Sequence, residues 1–200
     1  MKISLTKFQR FLLLFNIIFL ASSALLFSEI KNYEFVIYGF FAVGITIAVT
    51  SLNSRFQFSN LTFAGLTILN ITHQLGGGLM INNARLYALQ IIPGILRFDK
   101  IVHIFGIFII TIALYELFKH HLKNIKEDWV IMIFLIFAGI GIGVLWEFVE
   151  FIPVMTLPET GVGEYMNTIG DLLSNTLGAI FAATYIKVRI FSKSRKNSKQ

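Results

Sequence analysis

Leu61-Thr62-Phe63-Ala64-Gly65-Leu66-Thr67-Ile68-Leu69-Asn70-Ile71-Thr72-His73-Gln74-Leu75-Gly76-Gly77-Gly78-Leu79-Met80 is the stretch on which the fold turns. A spanning helix needs about 20 mostly apolar residues, because each adds about 1.5 Å against a hydrocarbon core of about 30 Å. This stretch has the length, yet it carries Asn70, Thr72, His73, Gln74 and three consecutive glycines. Whether it crosses settles a count of five or six spans, and with it the side that every later loop faces.

Five other stretches qualify without argument: about Phe11–Phe27, Phe35–Leu52, Ile101–Phe118, Trp129–Ile152 and Leu172–Phe191. The composition agrees. Of 200 residues, 56% are hydrophobic and 14% charged, with 21 Phe and a mean hydropathy of +0.74. Soluble domains carry roughly 25% charged residues, so a water-soluble globule is excluded. Three Pro exclude a disordered or collagen-like chain, and zero Cys excludes disulfides, thiolate metal sites and Cys nucleophiles.

The distribution of Lys and Arg decides the count. With six spans and a cytoplasmic N-terminus, Lys2, Lys7, Arg10, Arg55, Lys119, Lys123, Lys126, Lys187, Arg189, Lys193, Arg195, Lys196 and Lys199 lie inside. Lys31, Arg85, Arg97 and Lys100 lie outside, which is 13 against 4. Dropping Leu61–Met80 would put the basic Lys119–Lys126 loop outside. The expectation is therefore an all-α, polytopic membrane helical bundle of about six transmembrane helices, N-in and C-in, in the cell (cytoplasmic or inner) membrane. It forms a single integral domain over 1–200 that ends in a basic tail, about 187–200. The net charge of +6 is explained by orientation, so no nucleic-acid partner is expected; the expected partner is membrane lipid. Ala21-Ser22-Ser23-Ala24 resembles a signal-peptide cleavage site, but the apolar run before it is longer than the usual 7–15 residues or so, which favours a retained first helix. The segment of about Leu79–Phe98, broken by Pro93-Gly94, is too short to cross and is expected as an interfacial lid on the outer face.

Ionisable residues within spans are costly and usually face the bundle interior or a cavity. Here they collect at one depth. The third and fifth spans run outward and end with Asn70, His73 and Gln74, and with Glu147 and Glu150. The fourth and sixth run inward and begin with Asp99 and His103, and with Asn167, Asp171, Ser174 and Asn175. Asp99/His103 and Asp171/Asn175 are spaced i,i+4, and Asn70/His73 and Glu147/Glu150 i,i+3, so each pair shares a helix face. Two His and several carboxylates suit a divalent metal, which lowers the pKa of a bound water. On that reading His73, His103 and Asp171 are ligands, and Glu147, Glu150 and Asp99 carry acid–base work. Asn70, Asn167 and Asn175 support them. The activity expected is hydrolysis or group transfer on a lipid or envelope precursor. Two other readings stay open: proton-linked transport or head-group binding without chemistry, and a purely structural polar cluster. Each residue also has an ordinary role, Asp99 as an ion-pair partner of Arg97 or Lys100 and Asn175 as an interhelical hydrogen-bond donor.

The order Asp99-Lys100-Ile101-Val102-His103, Trp146-Glu147-Phe148-Val149-Glu150-Phe151 and Asn167-Thr168-Ile169-Gly170-Asp171 through Asn175 and Gly178 resembles YjdF-like inner-membrane proteins. His73 ahead of the glycine run and Tyr87 extends the likeness, which covers about Leu61–Tyr185. It is similar, more distantly, to VanZ-like proteins. Asn167 stands where YjdF-like proteins usually carry Asp. The resemblance implies a compact multi-helix membrane protein and supplies no reaction. Topology reporters fused after Phe118 are expected to read cytoplasmic; an extracytoplasmic reading would dissolve the common depth of the polar residues.

Overall fold

Thr6 opens the first helix with a capping box: its side chain accepts from Gln9 N, and the Gln9 side chain accepts from Thr6 N. From there the chain forms α1 (Lys7–Glu29), α2 (Tyr33–Phe56), α3 (Asn60–Gly78), α4 (Phe98–Leu122), α5 (Asp128–Thr156) and α6 (Tyr165–Ile186). This computed structural model describes residues 4–125 and 127–191. Lys2, Lys126 and the tail beyond 191, all used in the charge count, lie outside the described residues.

The result is an all-α helical bundle, and every helix but α3 is long and apolar enough to cross a membrane. At 19 residues α3 measures about 28 Å, close to the hydrocarbon thickness. Its polar residues have company: Asn70, His73 and Gln74 are all buried by neighbouring helices. Glu116 of α4 secures its start, accepting from Ser59 N (3.0 Å) and Thr62 Oγ1 (2.6 Å). α6 begins at Tyr165, seven residues before the apolar stretch read from sequence, so Asn167 and Asp171 lie within the helix. Hydropathy marks lipid contact, whereas the helix continues wherever its backbone bonds are made.

α4 packs most closely on α6, with α5 against both, while α1, α2 and α3 form the other half of the bundle. Between α3 and α4 the expected lid folds as two short antiparallel hairpins, Met80–Ile81 with Ala84–Arg85 (β1, β2) and Gln90–Ile92 with Leu96–Arg97 (β3, β4), joined by a 3-10 turn at Leu86–Ala88. The first turn places Asn82 and Asn83 at φ 50° and 61°, the left-handed pair that a tight hairpin requires. The bundle hides small and branched side chains such as Ile109, Leu135, Ala182 and Ile186. It turns Leu25 (74% exposed), Phe40 (72%) and Phe137 (70%) outward. So much apolar surface facing out fits a lipid solvent.

Gly178 sets the α4–α6 approach. A Cβ there would run into the backbone oxygen of Ile104, whereas one at Gly141 of α5 meets nothing within 4 Å. Gly178→Val is expected to cost at least about 1–3 kcal/mol through overpacking, read as a lower thermal midpoint in detergent. Gly141→Val should leave that midpoint unchanged, and equal effects would show that the contact is not limiting.

Candidate functional site

Helical spacing does most of the assembly. Asp99, Lys100 and His103 occupy the first turns of α4, Glu147 and Glu150 lie on α5, and Asn167, Asp171 and Asn175 follow one another at i,i+4 down α6. Packing these three helices brings one ligand atom from each of His103, Glu147, Glu150 and Asp171 within 4.8 Å of the others. His103 is central. Its Nε2 lies 3.3 Å from Asp171 Oδ1, 3.6 Å from Asp99 Oδ1 and 3.6 Å from Glu150 Oε1. Its Nδ1 faces Asn175 Oδ1 at 3.2 Å and Glu147 Oε1 at 3.7 Å. Asn175 Nδ2 donates to Glu147 Oε1 (3.2 Å), which turns the amide oxygen toward the imidazole. Nδ1–H then donates to Asn175, and Nε2 faces three carboxylates.

Lys100 is the counter-charge. Its Nζ donates to Asp171 Oδ1 (2.6 Å), Asp99 Oδ2 (2.9 Å), and both the side-chain (2.9 Å) and main-chain (3.1 Å) oxygens of Asn167. Asn167 Nδ2 donates to the second oxygen of Asp171 at 2.8 Å. Trp146 Nε1 donates to Glu150 Oε1 at 2.9 Å. Asp171 is 1% exposed, so neither of its oxygens relies on bulk water.

The residues singled out from sequence thus divide. His103, Glu147, Glu150 and Asp171 form the tight group, Asp99 adjoins it, and Asn167 and Asn175 are bonded to it. His73 stands apart from the four: its Nδ1 bonds the Tyr87 hydroxyl, its Nε2 is buried without a partner, and its ring meets Trp146 edge-on with centroids 5.2 Å apart. Asn70 lies deeper in the α1–α3 contact, where its Nδ2 donates to Asn16 Oδ1 at 2.8 Å. Sequence reasoning gave Lys100 only an ion pair with Asp99. One signal was available, since a lysine in the first turn of a helix opposes the dipole and needs acidic company. Glu34 of α2 was missed altogether. Its Oε2 accepts from Arg85 Nη1 and from Gly161 N, both at 2.7 Å. That carboxylate clasps the hairpin segment and the α5–α6 loop together over the site.

Two cavities adjoin the cluster. An outer one of about 220 Å³ lies under the clasp, lined among others by Arg85, Tyr87, Arg97, Asp99, Glu150 and Asn167. An inner one of about 90 Å³ is lined mainly by apolar side chains of α2 to α5, with His103 and Asn175 at its edge. His73 lines both. Tyr87 seals the boundary, lying so close over Gly76 that a Cβ there would collide with its ring. Burial raises the Tyr87 hydroxyl well above its usual pKa, so it stays protonated and able to donate.

Helices of this length and polarity, closing around buried charge, define a multi-pass membrane protein. The chain belongs to a family described as "Predicted membrane protein (DUF2238)", whose model matches residues 10–191. This accords with the YjdF-like motifs, while the VanZ-like similarity has no part in the match. Neither a curated protein nor a solved structure matches the chain.

Removing the single ammonium should expose the energetics. Lys100→Met leaves Asp99 and Asp171 uncompensated, at an expected cost on the order of 3–5 kcal/mol. Asp171→Asn in the same chain should recover part of it. Thermal unfolding of both variants in detergent checks this, and an unshifted midpoint for Lys100→Met would mean that the ion pair contributes nothing.

Proposed function

We propose that the His/carboxylate cluster is a divalent-metal centre for hydrolysis or group transfer on a membrane lipid or envelope precursor, at the extracytoplasmic side of the cell membrane. The observation that carries this is the four-residue group within 4.8 Å, whose three carboxylates outnumber the one ammonium beside them, that of Lys100. Ligands bonded at about 2.1 Å around a tetrahedral ion sit roughly 3.4 Å apart, and His103 Nε2 lies 3.3 Å and 3.6 Å from oxygens of Asp171 and Glu150. His103, Asp171 and Glu150 are the nearest ligand set, with Glu147 completing the group. Asn175 on Nδ1 supplies the outer hydrogen bond that fixes a metal-binding tautomer. A bound ion would lower the pKa of its water. Asp99, which lines the outer cavity and is held by Lys100, is the carboxylate best sited to take the proton.

A different observation favours a second reading. Lys100 already neutralises one carboxylate and ties α4 to α6, as a structural lock or a proton-linked binding site would require. Metal content of the detergent-purified protein separates the two. Near-stoichiometric metal is expected in the parent, lost in His103→Ala and Asp171→Ala and retained in His73→Ala. Folded, metal-supplemented protein that holds none would overturn the metal centre in favour of the lock.

A further inference from the structure

The two cavities stack along the bundle axis. On α4 the lining passes from Asp99 in the outer cavity to Val102, Gly106 and Ile110 in the inner one. On α2 it passes in the same sense from Glu34 and Tyr38 to Ala42 and Ile45. The step from Asp99 to Ile110 is about 16 Å at 1.5 Å per residue, roughly half a hydrocarbon core. Polar lining therefore gives way to apolar lining over the depth at which a lipid changes from head group to chain.

At the boundary stands His73. Its Nδ1 pairs with the Tyr87 hydroxyl, and its Nε2 is buried and without a partner. The outer cavity also holds Arg97, which among the described residues has no ion-pair partner, whereas Arg85 is held by Glu34. Empty apolar cavities accept apolar guests. A guanidinium beside a divalent ion is a recognition pair for a phosphate.

We infer that the site takes a phosphate-headed amphiphile whose chain enters the protein. The phosphate lies in the outer cavity between the metal centre and Arg97, the first few methylenes of the chain lie in the inner cavity of about 90 Å³ among α2 to α5, and His73 Nε2 donates at the junction. The head-group half of this rests on the metal centre proposed above; the chain half rests on the cavities alone.

A butyl phosphate carrying a diazirine near the chain end, photolysed with the full-length protein in detergent, tests it. Adducts are expected on inner residues such as Ala42, Leu69, Ile107 and Ile142. Labelling should be weaker with the neutral butyl diol analogue. Arg97→Gln, at an exposed position, should raise the half-labelling concentration about tenfold, the loss of one charge-assisted contact. Adducts confined to lipid-facing residues such as Phe40 and Phe137 would overturn the inference. So would inorganic phosphate competing as well as butyl phosphate, since the chain would then add nothing. Equal labelling by the diol, unaffected by Arg97→Gln, would overturn the phosphate head. Metal assayed in the same samples separates the failures. Metal-loaded protein without inner adducts sinks this inference alone, and metal-free protein with inner adducts sinks the metal centre while upholding the chain seat.

Discussion

Lys100 holds Asp99, Asp171 and Asn167 with one ammonium, and the rest of the bundle is arranged around that contact. An isolated charge at membrane depth costs several kcal/mol even after relaxation. The first turn of α4 can stay buried only if α6 presents its acidic face, and α6 can do so only at close range. Gly178 allows that range, three residues beyond Asn175, which bonds His103. Backbone proximity, ion pairing and the position of the imidazole are consequences of one another.

The two halves of the bundle are joined by different chemistry. Around α1 and α3 the contacts are neutral: Asn16 Nδ2 donates to Thr67 Oγ1 at 2.7 Å while its oxygen accepts from Asn70. Such pairs need no counter-charge and are worth about 1 kcal/mol each in a membrane. Charge concentrates in α4, α5 and α6, and aromatic rings fill the boundary, with Tyr38, His73 and Trp146 packed at centroid distances of 5.2–6.0 Å. The site therefore sits at an interface whose far wall is aromatic, with the inner cavity beside it.

Much of this was legible because membranes simplify the code. Hydropathy located the cores of the helices, and helical spacing paired Asp99 with His103 and Glu147 with Glu150 before any contact was known. What sequence could not rank was company. His73 and His103 carry the same side chain at similar depth, yet only His103 meets the carboxylates, because α3 packs toward α1 and the hairpin segment as well as toward α4. The hairpins were legible only as a segment unable to cross, since the first turns on two consecutive left-handed asparagines and the second on Gly94 at φ 72°. Glu34 gave no signal at all. A lone acid near the start of an apolar helix reads as an interfacial residue until Arg85 and Gly161 arrive from far along the chain.

Asp171 Oδ1 lies 2.6 Å from the Lys100 ammonium and 3.3 Å from His103 Nε2. An ion bound against that nitrogen draws on the oxygen the ammonium already holds, so the two cations compete for one atom. Like-charge repulsion at such distances favours withdrawal of the more mobile partner, and a lysine on its flexible stem is that partner. Asp99 and the two oxygens of Asn167 remain to receive it at the edge of the outer cavity. Under the proposed metal reading, the ammonium that compensates the carboxylates would then rest on Asp99 and Asn167. On that reading, the structural lock and the proposed metal centre would be two arrangements of the same ion pair.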